Sequence, residues 1–137
     1  MHTYKGFTIL ELLVVLAVIG MLMSVVIVSM SGVKEKGRDA TRMQHLQEVQ
    51  NALNLYYTNH SKFPVFASAT TITGDDAFSV VLEGELVISE VPPDPQHPVR
   101  TYTYQSNASG SDYTLTFCLE TNSIKGYSMG CANTKKP

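Results

Sequence analysis

Glu11 is the only ionisable side chain between Phe7 and Met30, in the run FTILELLVVLAVIGMLMSVVIVSM. An ionised carboxylate near the centre of a membrane-spanning helix costs about 2.5–3.5 kcal/mol on insertion-based scales. A plain anchor has no use for such a group. The bland reading is a residue near the start of the run whose carboxylate reaches back to the interface. Other groups with chemical potential are scattered. His2, His45, His60 and His97 share no ligand spacing, no HExxH or CxxC is present, and Asp75-Asp76 reads as a helix start and not a metal site. No nucleophile–base or metal constellation is visible, so catalysis, metal binding and a resident cofactor are not expected. Cys118 and Cys131 suit a disulfide in an exported domain, stabilising by about 3 kcal/mol in the chain-entropy model; reduced, buried thiols are the other reading.

The elements that would carry these residues follow from composition. The chain has 137 residues, a net charge of −2 and a pI near 6.0, which give no electrostatic footprint for nucleic acid, so DNA binding is not evident. Its apolar residues are unevenly distributed. As a helix, residues 7–30 would extend about 36 Å, enough to cross a bilayer core of about 30 Å. The leader MHTYKG before it does not resemble a secretory signal peptide, and no A-x-A site follows the run. Beyond Ser31 the chain is polar and mixed in charge. Lys34, Lys36, Arg38 and Arg42 interleave with Glu35 and Asp39, which reads as a solvated helix surface, with lipid head-group contact as the alternative.

Ala40, Met43, Leu46, Val49 or Gln50, Leu53 and Tyr56 or Tyr57 recur every three or four residues, an amphipathic stripe with Arg42, Gln47 and Glu48 on the remaining arc. With no proline before Pro64, one helix is expected from Phe7 to about Asn59, roughly 80 Å long, ended by SKFP at 61–64. A Thr/Ala/Ser-rich loop to Thr73 follows, then a short helix with Asp75 as N-cap and Phe78, Val81 and Leu82 on one face. VPPDPQHP (91–98) reads as a rigid connection. TYTYQS and DYTLTFCLE alternate on either side of the turn sequence NASGS and predict an antiparallel hairpin. A third strand is expected near Lys125–Met129. Cys118 points away from the set Tyr113, Leu115, Phe117 and Leu119, so a bridge to Cys131 would pin the C-terminal segment across the outer face or edge of the sheet.

The stretch Lys5-Gly6-Phe7-Thr8-Ile9-Leu10-Glu11-Leu12 resembles the class III signal of type IV pilins and type II secretion pseudopilins. The long helix, its end at SKFP, the PPDP connection and the hairpin are similar to the rest of such a subunit. The resemblance implies an α+β, pilin-like fold, with a long N-terminal helix, hydrophobic then amphipathic, packed on a small antiparallel sheet. It implies a leader over 1–6, a transmembrane and filament-core half-helix over 7–30, and a globular domain over 31–137. A prepilin peptidase would cut Gly6–Phe7, where glycine leaves the backbone unobstructed, and methylate the new Phe7 amine. Glu11 would then pair with the Phe7 amine of a neighbouring subunit. The Cys118/Cys131 pair is similar to the disulfide-closed C-terminal loop of many type IVa pilins.

On this reading the chain is a structural subunit of a type IV pilus or related filament and no enzyme. Its partners would be the peptidase, related pilins, an inner-membrane assembly platform and, before assembly, membrane lipid. The N-terminus would lie in the cytoplasm, although the basic residues mostly follow the run, against the positive-inside rule. A type II secretion pseudopilin is the alternative, though the acidic calcium loop common in its major subunits is missing, Glu120 being the last carboxylate side chain. An uncleaved membrane-tethered binding domain ranks below both.

Overall fold

A computed structural model describes residues 6–137, and of residues 25–29 the backbone alone. Helix α1 runs Ile9–His60, followed by β1 (Thr70–Ile72), α2 (Ala77–Gly84), β2 (Tyr102–Ser106), β3 (Tyr113–Leu119) and β4 (Gly130–Lys135). The chain divides after Lys34 into two units. In the first, the apolar side chains of α1 stand exposed, Leu10 at 72% and Leu16 at 61%. A contiguous exposed apolar surface of this kind marks an interaction site with protein or membrane. Counted over the described residues, no helix is long and apolar enough to cross a membrane. The span expected over 7–30 includes residues 25–29, whose side chains lie outside the described ones.

The second unit, 35–137, holds the core. Leu46, Val49, Ala52 and Leu53 of α1 are buried together with Phe78 and Leu82 of α2 and the inward residues of the sheet. The sheet is an antiparallel meander in the order β1-β2-β3-β4. The register Tyr104↔Leu115 and Ser106↔Tyr113 puts the buried alternation of both strands on one face. Tyr104 stacks on Phe78 at 4.2 Å, and Phe63 meets Tyr113 edge-on at 4.7 Å.

The ends of the elements have local causes. Helix α1 stops where Ser61 turns left-handed (φ 55) and donates its N–H to the Tyr57 carbonyl at 2.7 Å. Phe63, constrained by the following proline, donates to the Gly110 carbonyl at 2.7 Å and so binds the hairpin turn to the helix exit.

Several expectations need correction. Asp76, not Asp75, caps α2, accepting from the Phe78 N–H at 3.0 Å and the Ser79 N–H at 3.2 Å. Its carboxylate also holds the Thr73 N–H, at 2.8 Å, which a residue one position earlier would not reach in the same geometry. The Thr/Ala/Ser-rich segment up to Thr73, expected as a loop, contains β1, a three-residue edge strand. Residues 125–129 are a loop, and the last strand starts at Gly130. Asn133 folds that loop back, donating to the carbonyls of Ser128 (2.7 Å) and Gly130 (2.9 Å) and accepting from the Ser128 N–H (3.0 Å). Finally, Ala40 is exposed and Arg42 is not: the buried stripe of α1 begins with Asp39 and Arg42.

Candidate functional site

Gly6 and Phe7 precede the helix as exposed, irregular chain, with Phe7 80% exposed; the leader residues 1–5 lie outside the described ones. Among the described residues, nothing lies within 4 Å of where a side chain on Gly6 would begin. Thr8 is the residue from which α1 starts. Its N–H and its hydroxyl both donate to Glu11 Oε2 at 2.9 Å, while Thr8 Oγ1 accepts from the Glu11 N–H at 3.2 Å. This reciprocal arrangement is a capping box, T-x-x-E, and it satisfies backbone donors that the first turn of a helix leaves without partners. In the isolated chain the carboxylate of Glu11 is thus held by Thr8. Its signal in the sequence is the T-x-x-E spacing of Thr8 and Glu11.

A second polar cluster lies in the unit 35–137, and the sequence reading missed it. Arg42 is fully buried, and all five of its N–H bonds have acceptors. Nε and Nη2 form a fork on Asp94, at 2.8 Å to Oδ2 and 3.0 Å to Oδ1. Nη1 reaches Asp39 Oδ1 at 2.8 Å and Glu120 Oε1 at 2.7 Å, and Nη2 also reaches Gln96 Oε1 at 2.9 Å. Arg38 adds a second guanidinium on Glu120, its Nε 2.7 Å from Oε1. Asp39 accepts from the N–H groups of Glu120 (2.9 Å) and Thr121 (2.8 Å) and from the Thr121 hydroxyl (2.8 Å). Helix α1, the proline-rich connection and the end of β3 therefore meet on one arginine.

Two guanidiniums face three carboxylates, and the electrostatics follow. Hydrogen bonding from Arg38, outweighing partial burial and reinforced by Arg42, holds Glu120 down to about 2. Burial pushes Asp39 up, but the donated bonds from the Glu120 N–H, Thr121 and Arg42 leave it below its ordinary value. Burial alone would lower Arg42, and the bonds to Asp94 and Glu120 reverse that and raise it. With every donor occupied, this guanidinium has nothing left for a phosphate or a substrate, and its work is positional. Lys34 and Lys36 are exposed as expected, whereas Arg38 and Arg42 turn inward and leave the solvated face on which they had been placed.

Cys118 and Cys131 are joined by a disulfide, which closes the 118–131 loop. Cys118 is buried at the irregularity between Phe117 and Leu119, and Cys131 lies on the exposed edge strand β4. The histidines are dispersed: His45 lies near the Tyr102 hydroxyl (3.4 Å), His60 pairs with Glu85 (3.0 Å), His97 is exposed, and His2 lies outside the described residues. Among the described residues no His, Cys, Asp and Glu side chains gather as a metal-binding group.

Residues 1–27 match the prokaryotic N-terminal methylation motif. The motif and the helix-on-sheet fold are similar to those of one class, pilin-like chains with a prokaryotic N-terminal methylation signal. Within it, the chain is similar to "Type II secretion system core protein G" of Aeromonas hydrophila, 35% identical over 73 residues, 53% of this chain and 48% of that protein. The proteins of the same description from Klebsiella pneumoniae (34% over 64 residues, 47% of this chain and 46% of that protein) and Escherichia coli K12 (35% over 60 residues, 44% and 41%) are similar to it as well. The chain spans about half the length of these curated relatives. No solved structure matches it.

Proposed function

We propose that the chain is a structural subunit of a pilin-type filament, processed at Gly6–Phe7 and assembled through the apolar half of α1. The observation that carries this reading is the N-terminus: an exposed, irregular Gly6–Phe7 junction directly before a capped helix whose apolar side chains are exposed, within a matched methylation motif. Such a junction suits a peptidase, because an extended, accessible backbone can enter an active site without unfolding a helix. Cleavage would leave a cationic α-amine on Phe7 beside Glu11 and, once methylated, the amine remains a cation. In a dry filament core, Glu11 of one subunit would exchange its Thr8 partners for the Phe7 amine of a neighbour. One charge without the other would be costly there, so the pair specifies register more than it adds stability.

Before assembly the chain would be held in the cytoplasmic membrane by residues 7–30, its N-terminus inside and residues 31–137 outside. The relatives favour the secretion filament as the particular machine, with a pilus as the second reading. The Cys118–Cys131 closure favours the pilus. Intact-mass measurement of the protein recovered from cells tests the core of the proposal. Loss of Met1–Gly6, with or without one added methyl on Phe7, is expected, and a retained leader would overturn it.

A further inference from the structure

We propose that an acidic-rimmed apolar groove beside α1 is the seat for the Met30–Lys36 stretch of a second copy of this chain. The inference rests on the filament reading and specifies one of its contacts.

The groove lies between the second half of α1 and the segment that follows α2, is open to solvent and has a volume of about 670 Å³. Leu55, Leu86, Val87 and Ile88 supply its apolar lining, and Glu48 and Glu90 stand exposed at it. Leu86 carries the argument furthest. It ends α2 in the left-handed region (φ 54), its N–H donating to the Glu83 carbonyl at 2.9 Å, a position that glycine fills at least strain. A leucine there is strained, and its side chain is 89% exposed. A large apolar group held out at a strained turn is a feature that neither folding nor solubility asks for, and it points to a partner.

Charge and shape on this same chain match the groove. Met30, Val33 and Lys34 recur at i, i+3 and i+4, so they share one face of a helix. Val33 is 65% exposed and Met30 53%. Lys34 and Lys36 are exposed, and among the described residues no salt bridge engages either, because Arg38 and Arg42 take Glu120, Asp39 and Asp94. An apolar knob flanked by two ammonium groups thus faces an apolar groove flanked by two carboxylates. The two surfaces are different patches of one molecule. Their union is head-to-tail, a heterologous contact that repeats into an open helical array wherever the rotation between copies does not close a ring.

The test uses the full chain in cells that carry the processing and assembly machinery. A photo-cross-linking amino acid at Leu86 should yield a ladder of adducts, mapped by mass spectrometry to the 30–36 peptide of another copy. The pair K34E/K36E should abolish the ladder, the pair E48K/E90K should do the same, and the four together should restore it. A single dimer band, an adduct to a different protein, or filaments that tolerate either reversal alone would overturn the groove assignment while leaving the filament reading intact. A retained leader with no filaments would overturn the filament reading itself.

Discussion

Arg42 shows how far a single side chain can organise a small domain. Its guanidinium is a planar fork of five donors, and here each donor has an oxygen within 3.0 Å. Removing it would leave the carboxylates of Asp39 and Asp94 buried without their cation, a loss of about 3–5 kcal/mol for a buried pair broken on one side. Arg42→Ala should therefore unfold in urea at much lower concentration than the parent, whereas Lys36→Ala, an exposed change, should stay within about 0.5 kcal/mol. Near-equal midpoints would show that the cluster contributes nothing. The same residues set an acid limit. Glu120 titrates at about 2 in the folded chain against an ordinary 4.5, so its contribution is present above 4.5 and disappears as pH falls toward 2. Screening at its partly open edge keeps this on the order of 1–3 kcal/mol. Unfolding free energy measured from pH 5 to 2 should fall, and Glu120→Gln should flatten that slope while lowering stability at neutral pH.

Among the elements, the hairpin turn is packed closely against the exit of α1. Gly110 has φ +67, and a Cβ there would come within 2.7 Å of the Phe63 carbonyl oxygen, which is backbone and cannot swing away. Gly110→Ala should cost about 1–3 kcal/mol, from the left-handed backbone and the clash together. Gly84→Ala, in helix α2 with open space around it, should be neutral or slightly stabilising. Thermal unfolding of the two variants checks the contrast. What was legible in the sequence follows the same physics. The α1 stripe through Leu46, Val49 and Leu53 and the hairpin alternation of Tyr102, Tyr104, Tyr113 and Leu115 were readable because burial there is apolar and periodic. Strand β4, GCANTK, was not, because an edge strand of small and polar residues carries no alternation, and the loop before it is held by hydrogen bonds of Asn133 and Asn122 and by the disulfide. Arg42 was misplaced for a related reason. A charged residue in a helical stripe looks like its solvent face until the acceptors, here 52 and 78 residues away, are known.

For the whole molecule, the division after Lys34 separates two kinds of stability. Among the described residues, the core cluster, the Arg42 network and the disulfide all fall within 35–137. Before that point, the described apolar side chains of α1 stand largely exposed. A chain beginning at Glu35 should therefore fold alone, with the Cys118–Cys131 bridge formed when it is made in an oxidising compartment. Its shortened helix would begin at an uncapped turn, which costs about 0.5–2 kcal/mol, and the rest of its stability should be retained. Calorimetry should give one cooperative transition, and sedimentation a monomer, because both the apolar half-helix and the Met30–Lys34 face are gone. A broad, non-cooperative melt would mean that the first unit supports the second. A stable oligomer would mean that subunits associate through the globular unit alone, in which case the exposed leucines and valines of α1 would need a membrane and not a filament to explain them.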